Sequence, residues 1–376
     1  MNPPNEISIP KIAHRTRSEA NAQVRLVEQT AGAVSLRETI NGLMQHPQWV
    51  PNQRAMAAAY ELSNACRQQS GQAPNGIWFP LAAMSRDLTA ASTASGSVYD
   101  NKLQAALAPA SAVMSGATVL SGLTGSTFSL PCIDTGVDAS STWVTEGANG
   151  DQREPTFKVA TLTPKTMVFE IVLSRRLLLN ASVDLESELR SEMLRRAMLE
   201  IDRAALNGDG VDAPGGLLNN PDLLVLSAGA NGAAPTWSHL VEAEYQAATK
   251  AGTMRAPAFL TSPAIRKKLR TTQRGAGLDF IVSDSANTLL GHPLRTTSLV
   301  PDNLSKGASD GVCSAMVFGD MSEIVVGFWG PLALDLLVDD RTLSPQGAVR
   351  IVARAEVGVA VRNVGAFAAY KDFLSA

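Results

Sequence analysis

The chain has 376 residues, of which 45% are hydrophobic and only 18% are charged, whereas an average soluble domain has roughly 25% charged residues. This length is sufficient for a sizeable core and for two or three domains, and the low charge predicts that other subunits cover much of the surface. A net charge of -3, from 32 basic and 35 acidic residues, excludes a general attraction to nucleic acid or anionic lipid, so any contact with DNA is expected to be weak and unspecific.

The cysteines and histidines do not form a recognisable chemical motif. Cys66, Cys132 and Cys313 are odd in number and far apart, which favours buried thiols in a reducing compartment over a disulfide framework. The four histidines lack the spacing of a metal site, so we expect no metal and no cofactor. No apolar run approaches the ~18 residues of a membrane span, and no signal peptide is evident, so we expect no membrane contact.

The first 130 residues predict helices followed by an extended segment. Residues 1–76 are polar and alanine-rich, with helical patches at 18–32 and 51–69. The second patch has only a narrow apolar stripe, so we expect a solvated helical extension. Residues 84–130 are rich in Ala, Ser, Thr and Gly, a composition typical of an extended arm that is ordered by its neighbours.

A long hairpin is predicted over residues 141–174. Apolar and polar residues alternate from 157 to 160 and from 167 to 174, as in half-buried strands. The polar stretch EGANGDQREP, residues 146–155, is interpreted as the turn of this hairpin. Its charged residues either form a solvated loop or contact a partner, and they are Glu146, Asp151, Arg153 and Glu154.

A helix is predicted from Val183 to about Leu206, with Ser182 as its N-cap and one continuous apolar face. The stretch ALNGDGVDAPGG follows directly. Because a helix precedes these glycines, its C-terminal carbonyls would repel a phosphate, and two aspartates without a closing glutamate make a poor calcium site. We therefore interpret Gly208 and Gly210 as left-handed residues of a helix end, with Pro214 beginning the next extended piece.

Residues 222–345 mix short strands and helices, which predicts an α+β domain. The strand around residues 258–260 leads into Ser262 as an N-cap with Pro263 at the first helical position. His292 is expected beside a turn, and the alternation of residues 349–361 predicts a long closing strand. The basic run of the Ser262 helix is either a solvated face or a contact for DNA phosphates, and it consists of Arg266, Lys267, Lys268 and Arg270.

No motif of nucleophilic catalysis is present, so no catalytic residue is predicted. Taken together, several segments resemble the major capsid proteins of tailed bacteriophages, the family with the Hong Kong 97-type fold. The matching segments, spread in the same order over residues 77–374, are FPLAAMSRDLTAAS, WVTEG, LSRRLLLNAS, DRAALNGDGVDAPGGLLN, LLGHPLRTTSLVP, VFGD and VRIVARAEVGVAVRN.

The resemblance implies an α+β capsid fold with an N-terminal arm, an extended E-loop hairpin, a peripheral domain with a long spine helix, and an axial domain. Mapped onto this chain, these parts are a helical, scaffold-like pro-segment (1–76), the arm (77–140), the E-loop (141–175), the peripheral domain (176–225 and 346–376) and the axial domain (226–345). Candidate residues for assembly contacts are Trp143, Glu146, Asp151, Arg153, Glu154 and Lys158.

The resemblance also implies a structural protein without enzymatic activity, which forms pentamers and hexamers of an icosahedral shell around double-stranded DNA. Its implied partners are further copies of itself, a portal protein, a head maturation protease, scaffold and decoration proteins, and the packaged DNA. Its implied location is the virion capsid, after assembly in the cytoplasm of a host bacterium. Some family members crosslink a hairpin lysine to an asparagine, but Gly347 stands near the required asparagine position, so no crosslink to Lys158 or Lys165 is expected.

Two other functions stay open on the residues. An encapsulin, a bacterial compartment with the same fold, encloses protein cargo, but it needs no helical scaffold segment before the arm. An enzyme with an unrecognised site would instead be a discrete monomer or dimer that binds a small molecule.

Overall fold

The computed structural model describes residues 36–43, 53–81, 111–133, 157–174, 183–275, 277–282 and 287–375. The helices of these segments are α1 (Leu36–Leu43), α2 (Gln53–Ser70), α3 (Val183–Asn207), α4 (Trp237–Ala251) and α5 (Pro263–Thr271). The strands are β1 (Ile77–Pro80), β2 (Thr118–Leu120), β3 (Phe128–Ile133), β4 (Phe157–Leu162), β5 (Lys165–Ser174), β6 (Leu224–Leu226), β7 (Pro257–Thr261), β8 (Thr288–Leu289), β9 (His292–Thr296), β10 (Leu304–Lys306), β11 (Ser309–Asp320), β12 (Ile324–Phe328), β13 (Ala333–Asp339), β14 (Ala348–Val361) and β15 (Phe367–Leu374). The predicted α+β class is confirmed.

The long strand β14 is the centre of the first sheet. It runs antiparallel to β5, β12 and β13, while β1 extends the sheet beside β13 and β2 lies parallel to β12. Every second residue from Val349 to Val359 is buried, as the period of two of a half-buried strand requires. The closing strand predicted from the sequence is therefore confirmed.

The second sheet has the order β6-β15-β11-β7-β9-β8, with β10 beside β11. Its central strands are buried on both faces. Leu260 and Val317 belong to the same apolar cluster as the first sheet, called the first core below. Phe259 and Phe318, one position away on the same strands, belong to a second core that α4 and α5 cover. The second sheet thus separates two apolar cores.

Helix α3 confirms the helix predicted from Val183 to about Leu206. Its buried residues Met193, Ala197 and Ile201 are four apart and lie in the first core, as one face of an α-helix requires. On the opposite face Glu192 forms ion pairs with Arg195 at 2.8 Å and with Arg196 at 2.7 Å. The hydrogen bonds from Arg195, and next from Arg196, lower the pKa of Glu192 to about 2.

Helix α2 is not the solvated extension that the sequence predicts. Ala59, Leu62 and Cys66 are buried, and Leu62 lies in the first core together with Leu36 and Ile40 of α1. The side chain of Ser63 is buried as well, and its Oγ accepts a hydrogen bond of 3.2 Å from the backbone N–H of Trp78. The prediction was wrong because it weighed large apolar residues, whereas the packed stripe of α2 consists mainly of small ones.

The sheets do not follow the predicted boundaries along the chain. Strands β12 and β13 lie within the predicted axial range 226–345, yet they pair with β14 in the first sheet. Conversely, β15 lies in the predicted peripheral range 346–376 but pairs with β11 in the second sheet. The physical reason is that β14 lies between β13 and β12 and pairs with both, so one sheet combines strands from two contiguous ranges.

Candidate assembly surfaces

The predicted hairpin is built from other strands than expected. Strand β4 pairs with β3, with Phe157 opposite Ile133, so that 134–156 is the connection between them. Strand β3, residues 128–133, lies within the range predicted for the arm, residues 77–140. Of the predicted contact residues, only Lys158 is among the described residues, as an exposed position of β4 opposite Cys132. The others lie outside the described residues and stay predictions, namely Trp143, Glu146, Asp151, Arg153 and Glu154.

Strand β5 presents apolar side chains to solvent. Val168 and Val172 are 57% and 50% exposed, and Val159 on β4 is 62% exposed. All ten residues of β5 pair with β14, and within the described part of the chain no strand pairs with its other edge. A strand edge without a partner strand among the described residues, with exposed valines beside it, is a candidate contact surface for another chain.

The loop after α3 is closed by its own backbone. The N–H of Gly208 donates to the carbonyl of Ala204 at 3.0 Å, and the N–H of Gly216 donates to the carbonyl of Gly208 at 3.0 Å. Gly210 has a φ of 76°, which confirms its predicted left-handed conformation, whereas Gly208 does not have a positive φ. Gly208 is required for a different reason, because a Cβ there would lie 1.8 Å from the carbonyl oxygen of Pro214.

Asp209 organises the exposed tip of this loop. Its Oδ1 accepts hydrogen bonds from the backbone N–H groups of Val211, Asp212 and Ala213 at 3.0, 3.2 and 3.0 Å. The bond from Ala213, followed by that from Val211, lowers the pKa of Asp209 below its usual range. The carboxylate is thus occupied by its own loop, which fits a structural turn. Lys165 of β5 donates from its Nζ to the carbonyl of Val211 and connects this tip to the first sheet.

A buried carboxylate on α3 joins three parts of the subunit. Asp202 is 1% exposed, and its two oxygens accept hydrogen bonds from Ser111 Oγ at 2.5 Å and from the N–H of Ala112 at 2.8 Å. Arg295 of β9 donates to the carbonyl of Ala112 at 2.9 Å. Burial raises the pKa of Asp202 above its ordinary value, against the opposing effect of these hydrogen bonds.

Three further buried aspartates hold connecting segments in the same way. Asp320 accepts the N–H groups of 255 and 256, Asp372 accepts that of Ala228, and Asp335 accepts those of Asn75 and Gly76 at 3.0 Å each. The sequence prediction overlooked all four aspartates. For Asp202 a signal existed, because it follows Met198 by four residues and so interrupts an apolar stripe.

His292 lies beside a turn, as predicted. Leu290 and Gly291 both have positive φ, 53° and 83°, between β8 and β9. The Nε2 of His292 lies 3.1 Å from Glu244 Oε1, and its ring packs on Phe259 and Phe318. These contacts give His292 a structural role in the second core.

The described residues contain no group of three or more His, Cys, Asp or Glu placed to hold a metal ion. All three cysteines are free and buried, and burial raises the pKa of Cys66 to about 12, which makes a reactive thiolate unfavourable. The described helices also include none that is long and apolar enough to cross a membrane.

Comparisons with known proteins identify the family to which the chain belongs. The model of the phage capsid family matches residues 97–372 of the chain. The curated major capsid protein of Halomonas phage phiHAP-1 is 24% identical over 378 residues, which cover 96% of this chain and 58% of that protein. The chain therefore spans somewhat more than half the length of this relative.

Solved structures show the same fold. The capsid of an empty GTA particle matches with a TM-score of 0.57 and 19% identity, over 76% of this chain and 94% of that chain. A structure described as Gordonia phage Cozz matches with a TM-score of 0.50 and 14% identity, over 74% of this chain and 89% of that chain. The expected capsid fold is thereby confirmed.

Proposed function

Because the chain belongs to the phage capsid family, we propose that it is a major capsid protein, which assembles into the pentamers and hexamers of an icosahedral shell around double-stranded DNA. The family match over residues 97–372 and the relative named a major capsid protein support this proposal. The observation that carries it is the open edge of β5 with its exposed valines, Val168 and Val172.

In an isolated subunit, the edge of β5 is available for contact with another chain. A strand edge that pairs with no other strand among the described residues, with exposed apolar side chains beside it, promotes pairing with another chain. Closed symmetric assembly uses such surfaces in every copy at once. We propose that neighbouring copies cover this edge, and that the E-loop candidates Trp143, Glu146, Asp151, Arg153, Glu154 and Lys158 contribute contacts of the same kind.

The finer parts of the proposal follow the family. They are a portal protein, a head maturation protease, scaffold and decoration proteins as partners, and assembly in the host cytoplasm. We propose a purely structural role without catalysis. The buried thiols support it, as does the carboxylate of Asp209, which accepts hydrogen bonds from its own loop. The phage family match favours a DNA-containing head over an encapsulin shell.

Electron microscopy of the purified full-length chain, coexpressed with the neighbouring genes, tests this function. We expect shells, tubes or capsomers for the natural sequence. The double variant Val168→Lys/Val172→Lys should stay folded but should not assemble, because lysines at a strand edge oppose pairing. Val241→Lys, at an exposed valine of α4, is the matched control and should assemble normally. Small discrete particles from the natural chain under all conditions would contradict a capsid role.

A further inference from the structure

Strand β1 forms one edge of the first sheet, yet it is closed to solvent. Among the described strands it pairs only with β13, and no strand lies on its outer side. All four residues of β1 are nevertheless buried, whereas Val168 and Val172 of β5 are exposed. An edge strand is protected in this way when a helix or a loop covers it. Helix α2 provides this cover, and α1 packs beside it.

The outer edge of β1 has no free backbone donor. Along a strand, successive N–H groups point to opposite edges. The N–H of Leu81 donates to the carbonyl of Leu332 on the side of β13, so the positions of Trp78 and Pro80 face outward. Ser63 Oγ of α2 accepts the N–H of Trp78 at 3.2 Å, and a proline has no N–H. A further strand that approached this edge would therefore find no N–H group to bind.

Helices α1 and α2 belong to the apolar core of the subunit. Leu36, Ile40 and Leu62 are at most 1% exposed, and they lie in the first core together with Phe79 of β1. Cys66 of α2 packs in a separate small cluster with the tryptophan of β1. The first core also contains the buried face of α3. The two N-terminal helices therefore fill the space between β1 and α3.

This packing disagrees with the scaffold-like pro-segment that the family resemblance implies over residues 1–76. A segment that is removed during maturation has to leave without opening the core of the subunit. Helices α1 and α2 do not meet this condition, because their departure would expose Phe79 and the outer edge of β1 to water. A bare edge strand beside exposed apolar side chains promotes unspecific pairing.

We propose that α1 and α2 are a permanent part of the subunit and close the β1 edge of the first sheet to strand addition by another chain. Any proteolytic shortening of the chain from its N-terminus then stops before Leu36. Strand addition by a neighbouring copy is restricted to the opposite side of the sheet, where β5 lies. This last point rests on the proposed capsid function, whereas the retention of the two helices does not.

Cleavage of the folded chain between α2 and β1 tests whether packing alone holds the two helices. Gly71 is exposed and has open space around it, so the recognition site of a specific protease can be inserted after it. The unassembled full-length chain is purified in its folded state and cut afterwards. We expect the N-terminal fragment to stay bound during gel filtration in native buffer and to separate only in denaturant.

Two variants of the cut chain distinguish core packing from unspecific adhesion of the fragment. Leu62→Ala truncates a fully buried side chain, so it should raise the dissociation rate of the fragment at least about tenfold. Tyr60→Ala, at a side chain that is 50% exposed, is the matched control and should leave this rate unchanged. Release of the fragment from the natural sequence in native buffer, or equal rates for the two variants, would overturn the inference.

Amide hydrogen exchange in the uncut, unassembled chain tests the closure of the β1 edge. The N–H of Trp78 should exchange slowly, because Ser63 Oγ accepts it within a buried contact. Ser63→Ala should accelerate this exchange roughly fivefold through the loss of one hydrogen bond. Exchange at Trp78 in the natural chain that is as fast as in the exposed turn at Gly71 would show that the edge is open and would reject the proposed closure.

Mass spectrometry of assembled shells tests the retention of the helices in the mature particle. Trypsin releases residues 55–67 from α2 and residues 355–362 from β14, and we expect both peptides in equal amounts. Shells that lack the α2 peptide would contradict the inference. The capsid function fails separately, because a cut chain that holds its fragment but never forms shells would retain the role of α1 and α2 and reject the capsid role.

Discussion

Helices α2 and α3 pack into the same apolar core with different residues. In α3 the buried face includes Met193, Ala197 and Ile201, and charged pairs such as Glu192 with Arg196 mark the outer face. In α2 the buried positions follow the same helical spacing, but all except Leu62 are small, namely Ala59, Ser63, Ala65 and Cys66.

The difference shows that a weak amphipathic pattern does not predict a solvated helix. Small side chains allow a helix to approach a sheet closely, so that backbone and side-chain atoms pack without large apolar residues. Each helix also uses one buried polar residue to hold a neighbouring segment, Asp202 in α3 and Ser63 in α2. Both helices therefore pack into the first core, although only α3 does so mainly through large apolar side chains.

The largest effects are expected from truncating the central apolar residue of each helix. Ile201→Ala in α3 and Leu62→Ala in α2 should each lower the free energy of unfolding by about 2–5 kcal/mol, because both side chains are fully packed. Urea denaturation of the unassembled chain measures both. Tyr60→Ala, on the exposed side of α2, is the control and should change stability by less than about 0.5 kcal/mol. A Leu62→Ala effect as small as that of Tyr60→Ala would break the equivalence of the two helices.

Substitution of the glycine that ends each helix should, in contrast, destabilise the fold to different extents, with the larger loss after α3. Gly208→Ala places a Cβ 1.8 Å from a backbone oxygen, so the loop must move, and we expect a loss of about 3 kcal/mol or failure to fold. Gly71 has a φ of 70° and open space around it, so Gly71→Ala costs only the left-handed strain, about 1–2 kcal/mol. Thermal melting of the two variants ranks them. Equal losses of stability would show that the loop after α3 rearranges to accommodate the added Cβ without a further loss.

The buried polar contacts of the two helices provide the third comparison. Ser111→Ala removes one hydrogen bond from the buried carboxylate of Asp202, which should cost about 1–3 kcal/mol. Ser63→Ala removes a neutral bond to the N–H of Trp78, for which we expect about 1 kcal/mol. Denaturation midpoints of both variants test this order. A larger loss from Ser63→Ala would show that the buried hydrogen bond of α2 stabilises the fold more than that of α3.

The smallest effect is expected at the tip of the loop after α3. Asp209→Asn retains the carbonyl oxygen that accepts the three N–H groups, whereas Asp209→Ala loses it. Because the folded pKa of Asp209 is lowered, its contribution is present above the unfolded pKa and is lost as the pH falls through the folded value. Amide hydrogen exchange of residues 211–213 should therefore rise in acid for the natural chain and be independent of this titration in Asp209→Asn. Strong metal dependence of either variant would contradict a purely structural loop.

Much of the fold follows from local patterns. The alternation of β5 and β14, the apolar face of α3 and the Ser262–Pro263 start of α5 all have a period or a cap that a sequence shows directly. The pairing of β3 with β4 and the exchange of strands between sheets were not predictable, because partners of a strand depend on contacts far along the chain. The role of Gly208 was misassigned for the same reason, since the crowding atom belongs to Pro214.

The candidate contact surface was predicted only in outline. Low charge and a resemblance to capsid proteins predict buried contacts between subunits, and the assembly role of Lys158, which is exposed on β4, stays a prediction. The exposed valines of β5 were predicted as strand residues, but which edge stays open depends on the position of β14. A hydropathy scale ranks aspartate as a surface residue, so the burial of the four aspartates was not predictable from the sequence.

The hydrogen bonds that Asp335 accepts affect where a protease can cleave this chain. Its two oxygens hold the N–H groups of Asn75 and Gly76, and a Cβ at Gly76 would lie 2.0 Å from the carbonyl oxygen of Leu336. A protease cuts where the backbone is exposed and free to extend, whereas Ile77 is buried in β1 and the N–H of Gly76 is held by Asp335. The predicted boundary at residue 76 is thus held in place by hydrogen bonds. Cleavage there would separate α2 from β1, the strand on which it packs.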